Sequence, residues 1–220
     1  MFLTEFHCHT VYSKDSLTTP RQLLAACKKK GIERVVITDH NTTQGALHAR
    51  DLDPERVIVG EEIMTVSGEL LAFFVQEQVP PGLTPREAIA RLREQGAFIS
   101  VSHPFDRHRS GHWKLPDLQS IAPLVDAIEI FNSRCILADF NHQAQAFAQQ
   151  RNLPGTVGSD AHSPFEFGRA CLRLPGFHDR ESLLVALQQA QTIARLSPAW
   201  VHFYSRYAVW RKKLGYRQPG

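Results

Sequence analysis

The sequence predicts an α/β fold in which a largely parallel sheet is covered by helices. Short runs rich in valine, isoleucine and phenylalanine recur along the chain, and such continuous apolar runs are typical of strands buried on both faces. Segments with helix-capping residues stand between several of these runs. The length of 220 residues suits one α/β barrel or one doubly wound sheet.

Apolar runs mark the strand candidates, the first of which is the N-terminal Met1-Phe2-Leu3 run that leads to Phe6. The later runs are "RVVIT" (34–38), "RVIV" (56–59), "LLAFFV" (70–75), "AFISVS" (97–102), "AIEIF" (127–131) and "GTVGS" (155–159). Their alternation with helices predicts parallel strand–helix–strand units, and hence a barrel or a doubly wound sheet.

Two predicted helices share the same capping sequence. In "TPRQLLAACKKKG", Thr19 is the predicted N-cap, Pro20 the first helical residue and Gly31 the residue past the end. "TPREAIARLREQG" repeats this arrangement from Thr84 to Gly96. Two further helices are predicted over residues 138–152 and 179–191.

The C-terminal segment differs from the rest in being aromatic and basic. With no long linker in the chain, we predict one domain over residues 1–220 whose last helix spans about 197–214. Aromatic residues spaced along one face of that helix are predicted to pack on the barrel; they are Trp200, Phe203, Tyr204 and Tyr207. The alternative is that its basic residues contact nucleic acid or a membrane surface; they are Arg206, Arg211, Lys212 and Lys213.

Bulk properties exclude several classes of protein. The formal net charge of +3 is too small to indicate nucleic-acid binding by itself. No apolar run approaches the roughly 20 residues that span a bilayer, and the N-terminus lacks the layout of a signal peptide. We therefore expect a cytoplasmic protein with no membrane contact and no implied protein partner. The four scattered cysteines argue against a disulfide scaffold.

Ionisable residues follow the predicted strands at the point where each strand ends. In a parallel α/β fold these ends meet at one rim, so the side chains are expected to converge there. The candidates are His7, His9, Asp15, His40, Glu62, His103, Asp160 and His162.

The residue types at this rim indicate metal chemistry. Histidine and carboxylate side chains are ligands for Zn, Mn or Fe, and there are more candidates than one ion can use, so we predict two or three divalent ions. Clustered ions are typical of phosphoester hydrolysis by an activated water. The catalytic cluster is predicted around His7, His9, Glu62 and Asp160. Neither a GxSxG nor a P-loop motif competes with this prediction.

Basic residues near the predicted rim are candidates for binding the substrate. Arg134 is predicted to assist catalysis by clamping a phosphate, since a guanidinium matches two phosphate oxygens; its alternative is a surface salt bridge. In the loop "DRHRSGHWK" (106–114), Arg107, His108 and Arg109 are predicted to grip an anionic substrate as part of a lid. The alternative is a solvated loop.

Other ionisable residues receive weaker interpretations. Asp39 is predicted either to orient an imidazole or to cap its strand, and Glu61 to be solvated or to lie behind Glu62 because adjacent strand residues point in opposite directions. The remaining histidines match no pattern and are predicted to have no functional role; they are His48, His142, His178 and His202.

An ordered set of motifs resembles the PHP (polymerase and histidinol phosphatase) family. The segments, which cover roughly residues 2–170, are "FHCHTVYSKDS", "ITDHNT", "GEEI", "SHPFD", "FNSR" and "GSDAHS". The resemblance implies a distorted (β/α)7 TIM-like barrel with a di- or trinuclear metal site and phosphoesterase activity. Matched motif by motif, it implies metal ligation by His7, His9, Asp15, His40, Glu62, His103, Asp160 and His162.

The chain departs from the family pattern at one position. Many members carry a further ligand histidine at the start of the strand after "GxE", where this chain reads "SGELLAFF". Glu69 stands at about that place, and we expect it to substitute as a carboxylate ligand. The alternative is a site that holds only two ions firmly.

The leading hypothesis is a metal-dependent phosphoesterase that hydrolyses a small phosphomonoester or a terminal nucleotide phosphate. One alternative is an exonuclease that acts on short nucleic-acid ends, with a short oligonucleotide as substrate. A second is a noncatalytic metal-binding or regulatory module. A third is an amidohydrolase-type barrel, because a HxH pair after the first strand also occurs there, although the carboxylate-rich ligand set favours phosphoesters.

Overall fold

A computed structural model describes residues 1–215 as one nine-stranded sheet with helices. The strands are β1 (Phe2–Glu5), β2 (Arg34–Ile37), β3 (Val57–Met64), β4 (Glu69–Phe73), β5 (Phe98–Val101), β6 (Ala127–Asn132), β7 (Gly155–Gly158), β8 (Ala170–Leu174) and β9 (Gln191–Ala194). The helices are α1 (Pro20–Lys30), α2 (Gln44–Leu52), α3 (Pro85–Glu94), α4 (Leu115–Ile121), α5 (Ala138–Gln150), α6 (Arg180–Leu187) and α7 (Val201–Lys213). One 3₁₀ turn, Ala122–Leu124, follows α4.

The sheet is a nearly closed barrel, as the sequence predicted. Strands β1 to β7 are neighbours in chain order, and β8 and β9 continue the sheet on the other side of β1. Beyond the ends of β1 and β7, Cys8 bridges Ala161 in parallel register and the N–H of His9 donates to the Ala161 carbonyl at 2.8 Å. This contact joins the first and seventh strands at one rim.

The predicted pattern of parallel strand–helix–strand units does not hold at β4. This strand is antiparallel to both β3 and β5, and β8 is antiparallel to β1. The link between Met64 and Glu69 is too short for a helical crossover, so β3 and β4 form a hairpin. Because β4 is reversed, its first residue lies at the rim where the parallel strands end.

The capping residues of α1 and α3 act as predicted. Thr19 and Thr84 each accept a hydrogen bond from the backbone three residues later, and both capping boxes are complete. Helix α6 is shorter than predicted because β9 begins at Gln191. Helices α2 and α4 and strands β8 and β9 were not predicted, since their short segments lack clear periodicity.

Two apolar clusters occupy the two faces of the sheet. Val35 and Ile37 pack with α1, α2 and α3 in the first cluster, whereas Val36, between them, belongs to the second. Phe6, Phe73 and Phe98 anchor the second cluster, with ring centroids 5.4 Å apart in each adjacent pair. Successive strand residues point to opposite faces, so one face meets α1, α2 and α3, and the other fills the barrel together with residues of α6. All four cysteines are free and buried.

Helix α7 contradicts the predicted packing of its aromatic residues. Trp200, Phe203 and Tyr207 are 52%, 70% and 47% exposed, and only Tyr204 of the four is half-buried, while Val201 and Ala208 are buried against the barrel. The small side chains of Val201 and Ala208 allow close approach on that side, which turns the large rings to solvent. Spacing identified a helix face correctly but could not show which face meets the barrel.

Polar contacts hold α7 across the barrel rim. The Arg134 side chain donates from Nη2 to the Val201 carbonyl at 3.1 Å and to Ser205 Oγ at 2.8 Å. At the other end, Lys212 Nζ donates to the carbonyls of Val11 and Ser13. The helix is therefore tied to the loops after β6 and β1. None of the helices in residues 1–215 has both the length and the apolar character needed to cross a bilayer.

Candidate metal centre

His7 and His9 aim their imidazoles at one point. Their Nε2 atoms lie 3.2 Å apart, and both side chains are fully buried. The chain leaves β1 at Glu5, and the bridge from Cys8 to Ala161 fixes the segment that carries both rings. Gly158 lies beneath His7, where an added Cβ would overlap the His7 Cβ. The absence of a side chain at Gly158 is therefore what lets His7 occupy this position.

Glu62 lies at the centre of the histidines. Its Oε2 is 3.3 Å from His7 Nε2, 3.4 Å from His9 Nε2 and 3.0 Å from His40 Nδ1. Its Oε1 is 3.2 Å from His103 Nε2 and accepts a hydrogen bond from Ser102 Oγ at 2.7 Å. One oxygen of this carboxylate thus faces three imidazoles, and the other faces a fourth.

Asp15 joins His40 and His162 on the open side of the cluster. Its Oδ2 lies 3.2 Å from His162 Nε2 and 3.5 Å from His40 Nε2. The His162 ring makes its other hydrogen bond from Nδ1 to the Asp160 carbonyl at 2.7 Å. That donation leaves the lone pair of Nε2 facing the cluster. The three residues come from three separate loops at the same rim.

Asp160 divides its two oxygens between the cluster and a guanidinium. Oδ1 is 3.2 Å from His9 Nε2, whereas Oδ2 accepts a hydrogen bond from Asn132 Nδ2 at 3.2 Å and forms an ion pair with Arg109, whose Nη2 lies 2.6 Å away. The residue has φ of 51°, in the left-handed region that few non-glycine residues adopt. This conformation and the two contacts of Oδ2 fix the direction in which Oδ1 points.

Glu69 lies where its antiparallel strand begins, beside His40 and His103. Its oxygens are 3.8 Å from His40 Nδ1 and 3.5 Å from His103 Nε2. Three trios have ligand atoms within 4.8 Å of one another and could each hold a metal ion. They are His9 with His40 and His162, His7 with His9 and Glu62, and His40 with Glu62 and Glu69.

Glu129 orients two of these histidines and was not singled out from the sequence. Its Oε1 accepts from His7 Nδ1 at 2.8 Å, and its Oε2 accepts from the His103 backbone N–H at 2.8 Å. Since the carboxylate oxygen accepts, His7 Nδ1 carries a proton, and Nε2 is the ring nitrogen left to face a metal. The signal in the sequence was a single charged residue inside the apolar run "AIEIF".

Ser13 and Asp39 perform the same task for His9. Ser13 Oγ donates to Asp39 Oδ1 at 2.7 Å, so it accepts from His9 Nδ1 at 3.1 Å. The His9 proton therefore also lies on Nδ1. Of the two interpretations of Asp39, the structure supports orientation of an imidazole. Glu61 is buried rather than solvated, and its Oε2 accepts from the Val79 N–H at 2.9 Å.

Carboxylates and imidazoles shift one another's pKa values in this cluster. Burial alone lowers the pKa of His7, but Glu62, Glu129 and Asp160 together hold it well above its ordinary value. Burial together with the neighbouring His162 and His40 holds the pKa of His9 well below its ordinary value. The pKa values of these two neighbouring imidazoles are thus shifted in opposite directions, as in sites that carry several charges at close range.

The carboxylates respond to the same surroundings. Burial raises the pKa of Glu62 and Asp160, but facing cations outweigh it and hold both well below their ordinary values. For Glu62 the cations are chiefly His7 and His40, and for Asp160 they are Arg109 and His7. Burial and the Glu62 charge raise the pKa of Glu69. Glu69 therefore lacks enough positive charge nearby, which a cation would supply.

Several buried acceptor atoms in the cluster have no hydrogen-bond donor among residues 1–215. They are Glu62 Oε2, Asp160 Oδ1, Asp15 Oδ1 and His103 Nε2. Each unmade buried bond costs about 1–3 kcal/mol, so the cluster is costly as it stands. Divalent cations among these atoms would satisfy imidazole and carboxylate lone pairs together. The donor set therefore fits a metal group.

A cavity of about 370 Å³ opens above the cluster. Its floor includes Asp15, His40, Glu69 and His162, and Arg109 and Arg134 stand on its wall. Helix α7 closes one side with His202, Ser205 and Arg206. His202, which was predicted to have no functional role, lies in the cavity wall. This position depends on the path that α7 takes across the rim, which the sequence does not show.

The residues predicted to bind substrate are only partly brought together. Arg109 and His108 line the cavity, while Arg107 is exposed and is not among the described residues that line it. Arg134 lines the cavity too, but its Nη2 is engaged by α7 and its Nε lies 3.4 Å from Glu166. Arg109 is thus the guanidinium that reaches the cluster. The surface salt bridge considered for Arg134 is excluded, since the residue is 3% exposed.

Comparison with known proteins places this site in a family. Residues 5–75 match the PHP domain, and residues 138–192 match a region described as PHP-associated. The chain is 35% identical over 147 residues to the uncharacterized protein MJ1587 of Methanocaldococcus jannaschii, covering 59% of this chain and 81% of that protein.

Two solved structures share the fold at low sequence identity. One, from Bifidobacterium adolescentis, is provisionally assigned as a metal-dependent phosphoesterase; it is 18% identical with a TM-score of 0.63, over 84% of this chain and 96% of that one. The other is the lesion-specific endonuclease PfuEndoQ of Pyrococcus furiosus, 17% identical with a TM-score of 0.57, over 87% of this chain and 57% of that one. With the matched segments and the relative from Methanocaldococcus jannaschii, these findings show that the chain belongs to the PHP family.

Proposed function

We propose that this protein is a metal-dependent hydrolase of phosphate esters, acting on a small phosphomonoester or a terminal nucleotide phosphate. The observation that carries the proposal is the position of Glu62, whose Oε2 faces three imidazoles and whose Oε1 faces a fourth, all at 3.0–3.4 Å. A carboxylate in that position can bridge two cations. Membership of the PHP family and the phosphoesterase-like fold of a solved structure support the same conclusion.

The proposed site takes two or three divalent ions, with Mn, Zn and Fe as candidates. His7, His9, Glu62 and Asp160 would hold one position, and His9, His40, His162 and Asp15 a second. The trio of His40, Glu62 and Glu69, beside His103, would hold a third. When bound, the ions would acidify a water molecule and offset the charge of the phosphate.

The protein's own residues would orient the substrate. Arg109 Nη2, on Asp160, stands beside the cavity and could donate to a non-bridging phosphate oxygen. Arg134 would support it by fixing the wall that α7 forms. Water adds its oxygen to phosphorus and releases a proton to solvent as the ester P–O bond breaks, and the leaving oxygen takes a proton from solvent at the cavity mouth. We retain Arg134 as a candidate for direct phosphate contact through Nη1, since Nη2 is engaged by α7 and Nε lies beside Glu166.

The test compares the parent with His9→Ala after reconstitution with Mn, Zn or Fe. Elemental analysis should find at least two ions per parent chain and fewer in the variant. Hydrolysis of p-nitrophenyl phosphate and nucleoside monophosphates should be lost in the variant. His178→Ala is the matched control, because that side chain is 83% exposed and far from the cluster. Metal-loaded parent protein that hydrolyses no phosphate ester would overturn the proposal in favour of a noncatalytic module.

A further inference from the structure

Helix α7 presents a row of large apolar side chains to solvent. With 3.6 residues per turn, its large side chains fall on one face, which we call the α7 outer face; it comprises Trp200, Phe203, Tyr207, Trp210 and Leu214. Each of these is between 47% and 70% exposed. The Tyr207 and Trp210 rings are 5.9 Å apart. Five exposed apolar side chains in one row form a patch that usually marks an interaction surface.

Charge is distributed unevenly along the chain, and α7 lies in the basic part. Residues 182–220 contain six of the 25 lysines and arginines and none of the 22 acidic residues. The preceding 181 residues therefore carry a net charge of −3, although the whole chain is at +3. On α7, Arg206 and Lys213 are exposed and flank the outer face. The surface around the aromatic rings thus favours a polyanion.

The α7 outer face is continuous with the candidate metal centre. Arg206 lines the cavity together with His202 and Ser205, and it lies one turn from Phe203 and next to Tyr207 in the chain. Arg134 and Lys212 fix the helix across the rim. A chain whose terminal phosphate entered the cavity would therefore emerge beside Arg206 and run onto the aromatic rings.

We propose that the α7 outer face binds single-stranded nucleic acid, with bases stacked on its aromatic rings and phosphates beside Arg206 and Lys213. Stacking suits any base because every base has a π face, and spaced aromatics with cations are typical of such surfaces. The inference rests on the proposed function, because it names the class of phosphate ester that the same site takes. It applies to residues 200–214; residues 216–220 lie outside the described part of the chain.

Two other occupants of this face are disfavoured by its surroundings. In a dimer of two copies through α7, Arg206 and Lys213 of both chains would meet with no acidic residue on either helix to offset them. On a membrane, the same helix would bring lipid against the cavity whose wall it forms, and a dissolved substrate could not enter. Neither objection applies to a flexible polyanion.

The test measures binding of a fluorescein-labelled oligothymidylate of about 12 nucleotides, a length within the range that one such surface covers. The full chain is titrated in EDTA, so binding is measured whether or not the protein hydrolyses phosphate esters. Binding should weaken steeply with salt. Phe203→Ala with Trp210→Ala should weaken it at least about tenfold, and Arg206→Glu with Lys213→Glu should reduce its salt dependence.

Phe165→Ala is the matched control, because Phe165 is 72% exposed but lies in the loop after β7. Intrinsic fluorescence gives a second readout, since Trp200 and Trp210 are exposed while Trp113 is buried. Stacked bases should quench the tryptophan fluorescence of the parent protein. This quenching should disappear in the variant that combines Trp200→Phe with Trp210→Phe. Equal affinity of parent and Phe203/Trp210 variant would overturn the inference. So would binding to phosphatidylserine vesicles without binding to the oligonucleotide.

Discussion

Glu129 accepts a hydrogen bond from His7 at 2.8 Å and another from the backbone of His103 at 2.8 Å. One buried carboxylate in the middle of β6 thus sets the orientation of groups on two other segments. Glu129 does not line the cavity. It can therefore affect function only by orienting His7 and His103.

Glu129→Ala should therefore weaken metal binding. Removing the partner of a ligating histidine typically costs about tenfold to a hundredfold in metal affinity. Glu129→Gln should lose less metal affinity than Glu129→Ala, because its amide oxygen can still accept a hydrogen bond from His7. Competition with a chromogenic zinc chelator measures the affinities, and the exposed Glu55→Gln serves as control. Unchanged affinity in Glu129→Ala would show that His7 needs no such support.

Arg109→Ala should impair phosphate binding more than metal binding. The Arg109 guanidinium forms an ion pair with Asp160 on the side away from the imidazoles and lines the cavity. A charge-assisted hydrogen bond from it to a bound phosphate would contribute about 1.5–3 kcal/mol. We expect KM for a phosphomonoester to rise about tenfold or more while the metal content is retained. Arg107→Ala, on the exposed neighbour, is the control. If metal is lost and KM is unchanged, Arg109 serves the ligand cluster alone.

Glu61 should make stability depend on pH. Burial raises the pKa of this carboxyl to about 7, above its unfolded value near 4.5. Folding therefore favours the protonated form, and this contribution is present below the unfolded pKa and is lost as pH rises through about 7. Glu61→Gln should accordingly gain thermal stability relative to the parent between pH 5 and pH 8.

The measurement is the melting temperature in EDTA at both pH values, with Glu77→Gln as the exposed control. The difference between Glu61→Gln and parent should be larger at pH 8. A difference that stays constant across this range would mean that Glu61 is ionised in the folded protein at both pH values.

Lys212→Met should loosen α7 from the rim. Lys212 Nζ donates to the carbonyls of Val11 and Ser13, and methionine keeps the apolar stem without the donors. We expect faster limited proteolysis within residues 201–213, followed by mass spectrometry of the fragments. The control is Lys213→Met, because Lys213 is the next residue and is exposed. This variant should be cleaved at the same rate as the parent. Equal rates in the two variants would show that the Lys212 contacts do not hold the helix.

The sequence was sufficient for residues whose position follows from strand order. His7, His9 and Asp160 follow the ends of strands that run the same way, so parallel topology alone brings them to one rim. Glu69 needed more information, since it reaches that rim only because β4 is reversed. Its placement from the family resemblance agreed with the structure, while its role as a ligand stays a prediction.

Other features depend on tertiary contacts that local patterns do not encode. Glu129 lies inside a strand, where its direction is set by the sheet, and His202 enters the cavity only because Arg134 and Lys212 fix the course of α7. The spacing of Trp200, Phe203 and Tyr207 predicted one face, but small residues on the opposite side decided which face is buried.

The central claim, that imidazoles and carboxylates of this rim share a group of cations, is tested most directly by anomalous diffraction from crystals grown with manganese. We predict at least two anomalous peaks, with Glu62 between them and His7, His9, His40 and Asp160 around them. Crystals soaked in excess manganese whose rim shows no anomalous peak would contradict the account.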